Sequence, residues 1–346
     1  MQWLSKSLFV PALFVLQVLA FPLMGAAQTY TVTDLGTLGG SASGAQAINA
    51  FGQITGYSLV AGGGVVSHAF LYSGGFMADL GTLGGNVGEG NGINSSGQIA
   101  GYATNAEPAY RAFLYSGGTM NDLGDLGGGA AVAYALNDAG EVVGASWLAD
   151  GEVHPFLYSN GQMTDLGTLG SHTASWWNSA QGINNSGEVV GTSYDADGNF
   201  LGFLYRNGKM HALGTLGGLW SQAYAINNLG QITGIAYTKD DLAAHAFLAT
   251  GAKMTDLGVI AGGSNSWGFG INSHGVVVGQ SDCTCAAGYH AFVYRNGKML
   301  DLNALIPPGT GWTLDQANGI NDAGQIVGYG TKKGQQHAFL LTPSKR

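Results

Sequence analysis

The sequence predicts an all-β protein, a seven-bladed β-propeller of four-stranded antiparallel blades, closed by an N-terminal strand that completes the last blade. Three observations predict this fold. A unit of about 45 residues recurs seven times. Sixty glycines and only 10% charged residues are typical of short strands joined by tight turns. The two ends of the repeated region supply complementary strands. We therefore expect residues 28–346 to form one domain, preceded by a signal peptide over residues 1–27.

The N-terminal segment has the three parts of a secretory signal. Lys6 provides a positive charge, an apolar stretch follows over residues 8–24, and the small residues Gly25-Ala26-Ala27 close the segment. The alternative is an uncleaved anchor helix, which is disfavoured because the stretch is short and contains Pro11 and Pro22. The sequence thus predicts a secreted or periplasmic protein, with no membrane insertion after cleavage.

Three short motifs mark each unit. The first is Ile-Asn or Leu-Asn, whose asparagines are Asn49, Asn94, Asn137, Asn184, Asn227, Asn272 and Asn321. The second is the phenylalanine of a His-Ala-Phe-like triplet, found at Phe70, Phe113, Phe156, Phe203, Phe247, Phe292 and Phe339. The third is Asp-Leu-Gly, usually after Met-x, as in Met77–Gly81. Repeats of this length, each with several strand candidates, predict one supersecondary unit per copy.

Each unit contains four strand candidates, exemplified by Ala45–Asn49, Gly324–Tyr329, His68–Tyr72 and the Met-x-Asp-Leu-Gly segment. Asn-x-x-Gly joins the first strand to the second and suits a type I turn. Asn-Gly joins the third strand to the fourth in three units and predicts a two-residue hairpin. This register places a tyrosine opposite a methionine in the pairs Tyr72–Met77, Tyr115–Met120, Tyr158–Met163, Tyr205–Met210 and Tyr294–Met299.

The ends of the chain predict how the repeats are arranged. Tyr30–Gly36 is a lone fourth strand, and His337–Leu341 is a third strand without a fourth. Pairing the two completes a seventh unit, as a closed ring requires. The alternative is an open solenoid, which needs no complementary ends and usually has atypical terminal repeats.

These motifs resemble those of the HAF-repeat family of probable extracellular repeat proteins. The resemblance covers nearly all of the chain after the signal and rests on the triplets His68–Phe70, His245–Phe247, His290–Phe292 and His337–Phe339 and on Asp-Leu-Gly-Thr-Leu-Gly-Gly at Asp34–Gly40 and Asp79–Gly85. It implies export and a repeated β fold, but no activity. Three units depart from the triplet, at Arg111, Pro155 and Leu201, and Ala212 replaces one aspartate. No single histidine or aspartate of the repeat is therefore expected to be essential.

Charge and residue content argue against several functions. A net charge of −9 disfavours a nucleic-acid partner, and no motif predicts a cofactor or a catalytic residue. The repeat histidines would lie on different blades, too far apart to share one metal, so we interpret them, with the repeat aspartates, as buried hydrogen-bonding groups. Cys283 and Cys285 are interpreted as loop residues or a local disulfide, and Asp195–Asn199 as a turn rather than a calcium loop.

The candidate ligand-binding residues are the six tryptophans after the signal. In a propeller, the loops from second to third strands and from fourth to first strands share one face, and here these loops are the variable ones. We assign all six to that face, Trp147 in a second-to-third loop and the others in fourth-to-first loops: Trp176, Trp177, Trp220, Trp267 and Trp312. They form either an aromatic platform for a sugar chain or peptide or packing between blades.

The preferred function is an exported, non-enzymatic binding or scaffold protein whose variable loop face contacts a glycan or a surface or matrix protein. One alternative is an enzyme that acts on extracellular polysaccharide through loop carboxylates. Another is a purely structural component of the envelope.

Overall fold

The computed structural model describes residues 28–62, 64–170, 177–284 and 288–344. The predicted signal peptide, Trp176 and Cys285 lie outside these residues. Strands and turns make up nearly all of the described chain, and the only helical elements in it are two 3-10 turns, Lys239–Asp241 and Leu302–Leu305. No helix in this part of the chain is long and apolar enough to cross a membrane. The prediction of an all-β protein is confirmed.

The strands fall into groups of four, in the order that the repeat predicts. The first strands are β2 (Gly39–Ile48), β6 (Gly84–Ile93), β10 (Gly127–Leu136), β14 (Ser179–Ile183), β18 (Gly217–Ile226), β22 (Ser266–Ile271) and β26 (Trp312–Ile320). The second strands are β3 (Ile54–Val60), β7 (Ile99–Asn105), β11 (Val142–Leu148), β15 (Val189–Tyr194), β19 (Gln231–Thr238), β23 (Val277–Asp282) and β27 (Ile326–Lys332).

The third strands are β4 (Ser67–Ser73), β8 (Tyr110–Ser116), β12 (Val153–Ser159), β16 (Phe200–Arg206), β20 (Ala244–Thr250), β24 (Tyr289–Arg295) and β28 (Gln335–Pro343). The fourth strands are β5 (Phe76–Gly81), β9 (Thr119–Asp122), β13 (Gln162–Asp165), β17 (Lys209–Ala212), β21 (Lys253–Asp256), β25 (Lys298–Asp301) and β1 (Tyr30–Asp34). The groups are numbered one to seven by their first strands. A single parallel bridge between Ser67 and Val87 joins groups one and two into one eight-stranded sheet.

The N-terminal strand belongs to the last group. β1 pairs antiparallel with β28, from Tyr30 opposite Pro343 to Asp34 opposite Phe339. The sheet order is β1-β28-β27-β26. The predicted pairing of the two chain ends is therefore present.

The turns follow the predicted chemistry. In the first unit the Gly52 amide donates to the Asn49 carbonyl at 3.1 Å, and the corresponding bond is present in all seven groups. At the Asn-Gly hairpins both residues have positive φ, as at Asn160 (54°) and Gly161 (81°), which a type I′ turn requires. The five predicted tyrosine–methionine pairs are all observed. These local predictions are confirmed.

The core lies between neighbouring groups. The seven triplet phenylalanines are fully buried, and each belongs to an apolar cluster that also contains side chains from the preceding group. One cluster joins the last group to the first: it contains Ala45, Ile54 and Phe70 together with Val327 and Ala338. Packing between groups, rather than within one sheet, therefore accounts for the burial of the repeat motif.

The triplet histidine bonds to the aspartate of the fourth strand. The Nδ1 atom of His68 lies 2.8 Å from Asp79, and the same contact occurs in four other groups. His290 is buried, but the histidines and aspartates of the other four pairs are half-buried or exposed. The bonding was therefore predicted correctly, whereas the expectation of burial holds only for His290. Group four lacks both partners, with Leu201 and Ala212 in their places, which indicates that the two positions act as a pair.

Candidate functional site

A β-bulge in every first strand turns one side chain toward a cavity that all seven groups line. The register of each pair of first and second strands shifts by one residue, for example between Ala45 and Ala47. The extra residue is always the third before the repeat asparagine: Gln46, Asn91, Tyr134, Gln181, Tyr224, Phe269 and Asn318. All seven line one cavity of 530 Å³, the axial cavity. Bulges are a common means of redirecting a side chain at a functional site.

A glycine of the second strand makes each bulge possible. A Cβ atom at Gly101 would lie 1.9 Å from the carbonyl oxygen of Glu89, and at Gly56 it would lie 2.0 Å from that of Gly44. The other five groups have the same glycine and the same conflict. Only glycine lets the bulged backbone approach the second strand this closely. This explains why the last glycine of the Gly-x-Ile-x-Gly-like motif occurs in every copy.

One wall of the cavity is a chain of hydrogen bonds that ends on a carboxylate. Gln316 donates to Asn318 at 2.6 Å, Asn318 donates to Gln46 at 2.9 Å, and Gln46 donates to Glu89 Oε1 at 2.6 Å. The Tyr102 hydroxyl donates to the other oxygen, Oε2, at 2.8 Å. The amides are aligned so that each hydrogen bond polarises the next, which makes the Gln46 amide a stronger donor to Glu89.

Burial acts on Glu89 in the opposite direction from these bonds. It raises the pKa of the Glu89 carboxyl, while the hydrogen bonds from Tyr102 and Gln46 oppose that rise. Burial and the nearby carboxylate also raise the pKa of Tyr102 and of Tyr134. The part of Glu89 that remains accessible faces the cavity. A carboxyl with a shifted pKa in a concave site marks a candidate functional residue.

The opposite wall of the cavity is aromatic. Tyr134 and Trp147 come from group three, and Tyr224 and Phe269 follow from groups five and six, with their ring centroids 5.4 Å apart. Tyr110, which is 44% exposed, stands at the rim, edge-on to Tyr102 at 5.6 Å. The cavity therefore has amides and one carboxylate on one side and aromatic rings on the other.

A second concave site, the aromatic cleft, lies between groups four and five. It has a volume of 320 Å³ and is lined by Trp177, Tyr194, Phe200, Trp220 and Gln222. Phe200 is its centre, with ring centroids 4.8 Å from Tyr194 and 6.1 Å from both Trp177 and Trp220. Trp177 is 61% exposed.

The structure brings some of the predicted tryptophans together and separates others. Trp177 and Trp220 share the aromatic cleft, and Trp147 lines the axial cavity. Trp267 packs edge-on to Tyr289 at 5.3 Å. Trp312 packs against the core of group seven, beneath Lys332.

The assignment of these tryptophans to fourth-to-first loops was partly wrong. Trp220, Trp267 and Trp312 lie within first strands, because these strands begin several residues earlier than the sequence motif indicated. Trp177 does precede its strand, and Trp147 lies in the second strand β11 rather than in the loop that follows it.

Sequence reasoning missed Glu89 and the bulged residues. A signal was nonetheless present, because the position three before the repeat asparagine alternates among amide and aromatic residues while its neighbours stay small. Variation at one register of an otherwise uniform repeat indicates a surface that is free of the repeat's packing. Asp195, by contrast, accepts from the Asp197 and Asn199 amides, which supports its interpretation as a turn.

Solved structures with a similar fold include two that act on puromycin. A puromycin hydrolase matches with a TM-score of 0.59 and 13% identity over 89% of this chain and 53% of that one. A puromycin-hydrolyzing peptidase from Mycobacterium tuberculosis matches with a TM-score of 0.54 and 11% identity over 91% of this chain and 51% of that one. At these identities the likeness shows a common propeller-like fold alone, and this chain spans about half the length of each.

A gluconolactonase from Xanthomonas campestris aligns over 92% of both chains at 12% identity, but with a TM-score of only 0.44. No protein-family model matches the sequence. No curated protein matches it either.

Proposed function

We propose that the chain is an exported, non-enzymatic binding protein, a closed seven-bladed propeller that holds a glycan in the aromatic cleft. Residues 28–346 would form this single domain, and the segment before Gln28 would direct export and be removed. The proposal also places the chain in the HAF-repeat family, in which the Ala-Phe of the triplet packs between blades and its histidine braces the fourth strand.

Closure is supported by a series of hydrogen bonds between repeat asparagines. Each side-chain amide donates to the backbone carbonyl of the next repeat asparagine, from Asn49 to Asn94 at 3.0 Å onward. The last member, Asn321, donates to Asn49 at 3.1 Å. A row of stacked units that stayed open would leave the first and last members of such a series unpaired.

The observation that carries the binding function is the grouping of the exposed Trp177 with Phe200 and Trp220 in one concave cleft. The apolar faces of sugar rings stack on aromatic side chains, and nearby amides such as Gln222 supply hydrogen bonds to hydroxyl groups. Because Trp220 also stacks on Tyr237 at a centroid distance of 4.1 Å, the cleft is already ordered before a ligand arrives.

A glycan array probed with the mature protein tests this function. We expect a hit that Trp177→Ala weakens by about 2 kcal/mol, typical of an aromatic anchor. Phe51→Ala is the matched control, because Phe51 is 76% exposed but lies in a turn between first and second strands, away from the cleft. Loss of binding in both variants, or in neither, would contradict the assignment. Failure of every array and pull-down would favour a structural envelope component.

A second candidate is an enzyme acting on extracellular polysaccharide, and Glu89 favours it. A carboxyl with a raised pKa in a cavity suits a general acid. Most glycoside hydrolases use two carboxyl groups, whereas Glu89 is the one carboxylate among the described residues that line this cavity. Release of reducing ends from any polysaccharide, abolished by Glu89→Gln, would replace the binding function with this one.

A further inference from the structure

The axial cavity carries an inference that is independent of the aromatic cleft. Its volume of 530 Å³ falls in the range of small-molecule sites, about 300–1,000 Å³. Among the described residues that line it, Glu89 is the one charged side chain, and none is a lysine, arginine or histidine. Burial raises the pKa of the Glu89 carboxyl, and hydrogen bonds from two neutral donors, Tyr102 and Gln46, oppose that rise. The carboxylate thus lacks a cationic partner within the described part of the cavity.

A buried carboxylate without a countercharge is unfavourable, because burial removes water and neutral hydrogen bonds replace only part of it. Here both carboxylate oxygens already accept hydrogen bonds, one from Gln46 and one from Tyr102. These bonds favour the ionised form and hold it in one orientation. A ligand that brings a positive charge would therefore regain what burial costs.

The aromatic wall adds a second attraction for a cation. Ring faces carry negative quadrupole charge and attract ammonium groups, most strongly where water is excluded. Tyr134, Trp147, Tyr224 and Phe269 all line the cavity, and they come from groups other than those that supply the amide wall. Rings on several sides and a single carboxylate are the components that recognise quaternary ammonium compounds.

We propose that the axial cavity binds an organic cation, a ligand with one ammonium group on a compact apolar body, which places its charge between the Glu89 carboxylate and the aromatic wall. The amide of Gln46 orients Glu89, and Asn318 holds Gln46 in place through its own hydrogen bond. Tyr110 at the rim contacts the ligand as it enters.

The choice of a cation over a neutral sugar follows from the number of carboxylates and rings. A neutral polyol would leave the Glu89 charge without a countercharge, and it carries no positive charge for the aromatic rings to attract. An anion would be repelled by Glu89 in a site of low dielectric constant. A divalent metal ion would need several oxygen ligands, and the described residues contain no cluster of three or more acidic, histidine or cysteine side chains.

Titration calorimetry of the mature protein with choline and with 3,3-dimethyl-1-butanol tests the proposal. The two probes have the same shape, but the second carries carbon in place of the charged nitrogen. We expect choline to bind at least about tenfold more tightly than the neutral probe, because only the cation interacts with Glu89 and the ring quadrupoles. This comparison uses the unaltered protein and does not depend on any variant folding. Equal affinities, or no binding of choline at millimolar concentration, would overturn the proposal.

Two variants locate the interaction. Glu89→Gln keeps the shape of the side chain and should reduce the choline affinity about tenfold or more while leaving the neutral probe unaffected. Tyr110→Leu should reduce it more modestly by removing one ring at the exposed rim. Glu107→Gln is the matched control, since it removes the same charge from an exposed loop position of the same group that does not line the cavity. Equal effects of Glu89→Gln and Glu107→Gln would mean that choline responds to overall charge rather than to the cavity.

Glycan binding at the aromatic cleft is expected to persist in all three variants, so that failure of one proposal leaves the other intact.

Discussion

The side-chain amide of Asn321 donates a hydrogen bond of 3.1 Å to the backbone carbonyl of Asn49, although 272 residues separate them. The same asparagine organises its own turn, because its Oδ1 atom accepts from the Gln325 amide at 3.0 Å. One buried residue therefore links a local turn to the contact between the last group and the first.

Removing this link should destabilise the fold. Asn321→Ala removes one of the two hydrogen bonds to the Asn49 carbonyl, which keeps the bond from the Gly52 amide, and it leaves the Gln325 amide without its partner. We expect a loss of about 1–3 kcal/mol in the free energy of unfolding. Urea denaturation followed by fluorescence measures it. Asn121→Ala is the control, because Asn121 is exposed and its bonds are 3.3 Å or longer. A loss no larger than that of the control would argue against a seam at Asn49.

The N-terminal strand should contribute to stability through the same seam. Leu35 directly follows β1, is 5% exposed and packs in the cluster that joins groups seven and one. Leu35→Ala is expected to cost about 2–5 kcal/mol, since it removes buried methyl groups and leaves a cavity. Leu229→Ala, at a leucine that is 70% exposed, should change stability by less than about 0.5 kcal/mol. Similar urea midpoints for the two variants would show that the first strand is dispensable.

The glycine opposite each bulge should not tolerate a methyl group. Gly101→Ala would place a Cβ atom 1.9 Å from the Glu89 carbonyl oxygen, so the bulge must shift or the strands must separate. We expect destabilisation of about 1–3 kcal/mol, as for other overpacked sites. The displaced bulge would also move Glu89 and weaken choline binding. Ala106→Val adds bulk at an exposed loop position and is the control. Unchanged stability and binding in Gly101→Ala would contradict the role given to the bulge.

The histidine–aspartate pairs should make stability depend on pH. The hydrogen bond that His245 donates to the Asp256 carboxylate raises the pKa of His245 above 6.5. Burial raises the pKa of Asp256, but the bonds from His245 and the Gly258 amide outweigh it and leave that pKa below 3.8. The histidine contribution is therefore complete below its unfolded pKa and is lost as pH rises through the raised value. The aspartate contribution is lost as pH falls below 3.8.

A double-mutant cycle on His245→Leu and Asp256→Ala measures this dependence. These replacements reproduce Leu201 and Ala212 of group four. Because the pair is partly exposed, we expect a coupling of up to about 1 kcal/mol near pH 5.5 that shrinks near pH 8.5. A coupling that grows with pH would contradict the assigned direction of the His245 shift.

Local structure was predictable because its causes are local. An Asn-Gly pair adopts positive φ wherever it occurs between two strands, so the hairpins and the tyrosine–methionine register could be derived from a few residues. The pairing of Tyr30 with Pro343 was predictable for a different reason. An incomplete unit at each end of a repeat has few other ways to satisfy its strand edges.

The candidate sites were only partly predictable. Trp177 and Trp220 were singled out by their type and position, but the same reasoning included Trp312, which packs against the core. Composition cannot separate the two outcomes, because a tryptophan stabilises a core and a binding site through the same apolar area.

By itself, the sequence determined the repeat, the four strands of each unit, their turns and the partner of the first strand, since each depends on backbone preferences or on residues close along the chain. Only the tertiary structure decided that Gln46, Glu89 and Tyr134 face one cavity. Three groups supply these residues, and a backbone bulge opposite a glycine directs Gln46 and Tyr134 inward. The variation among amides and aromatic residues marks the bulged position in the sequence, but the direction of a bulged side chain is decided only when the first and second strands pair.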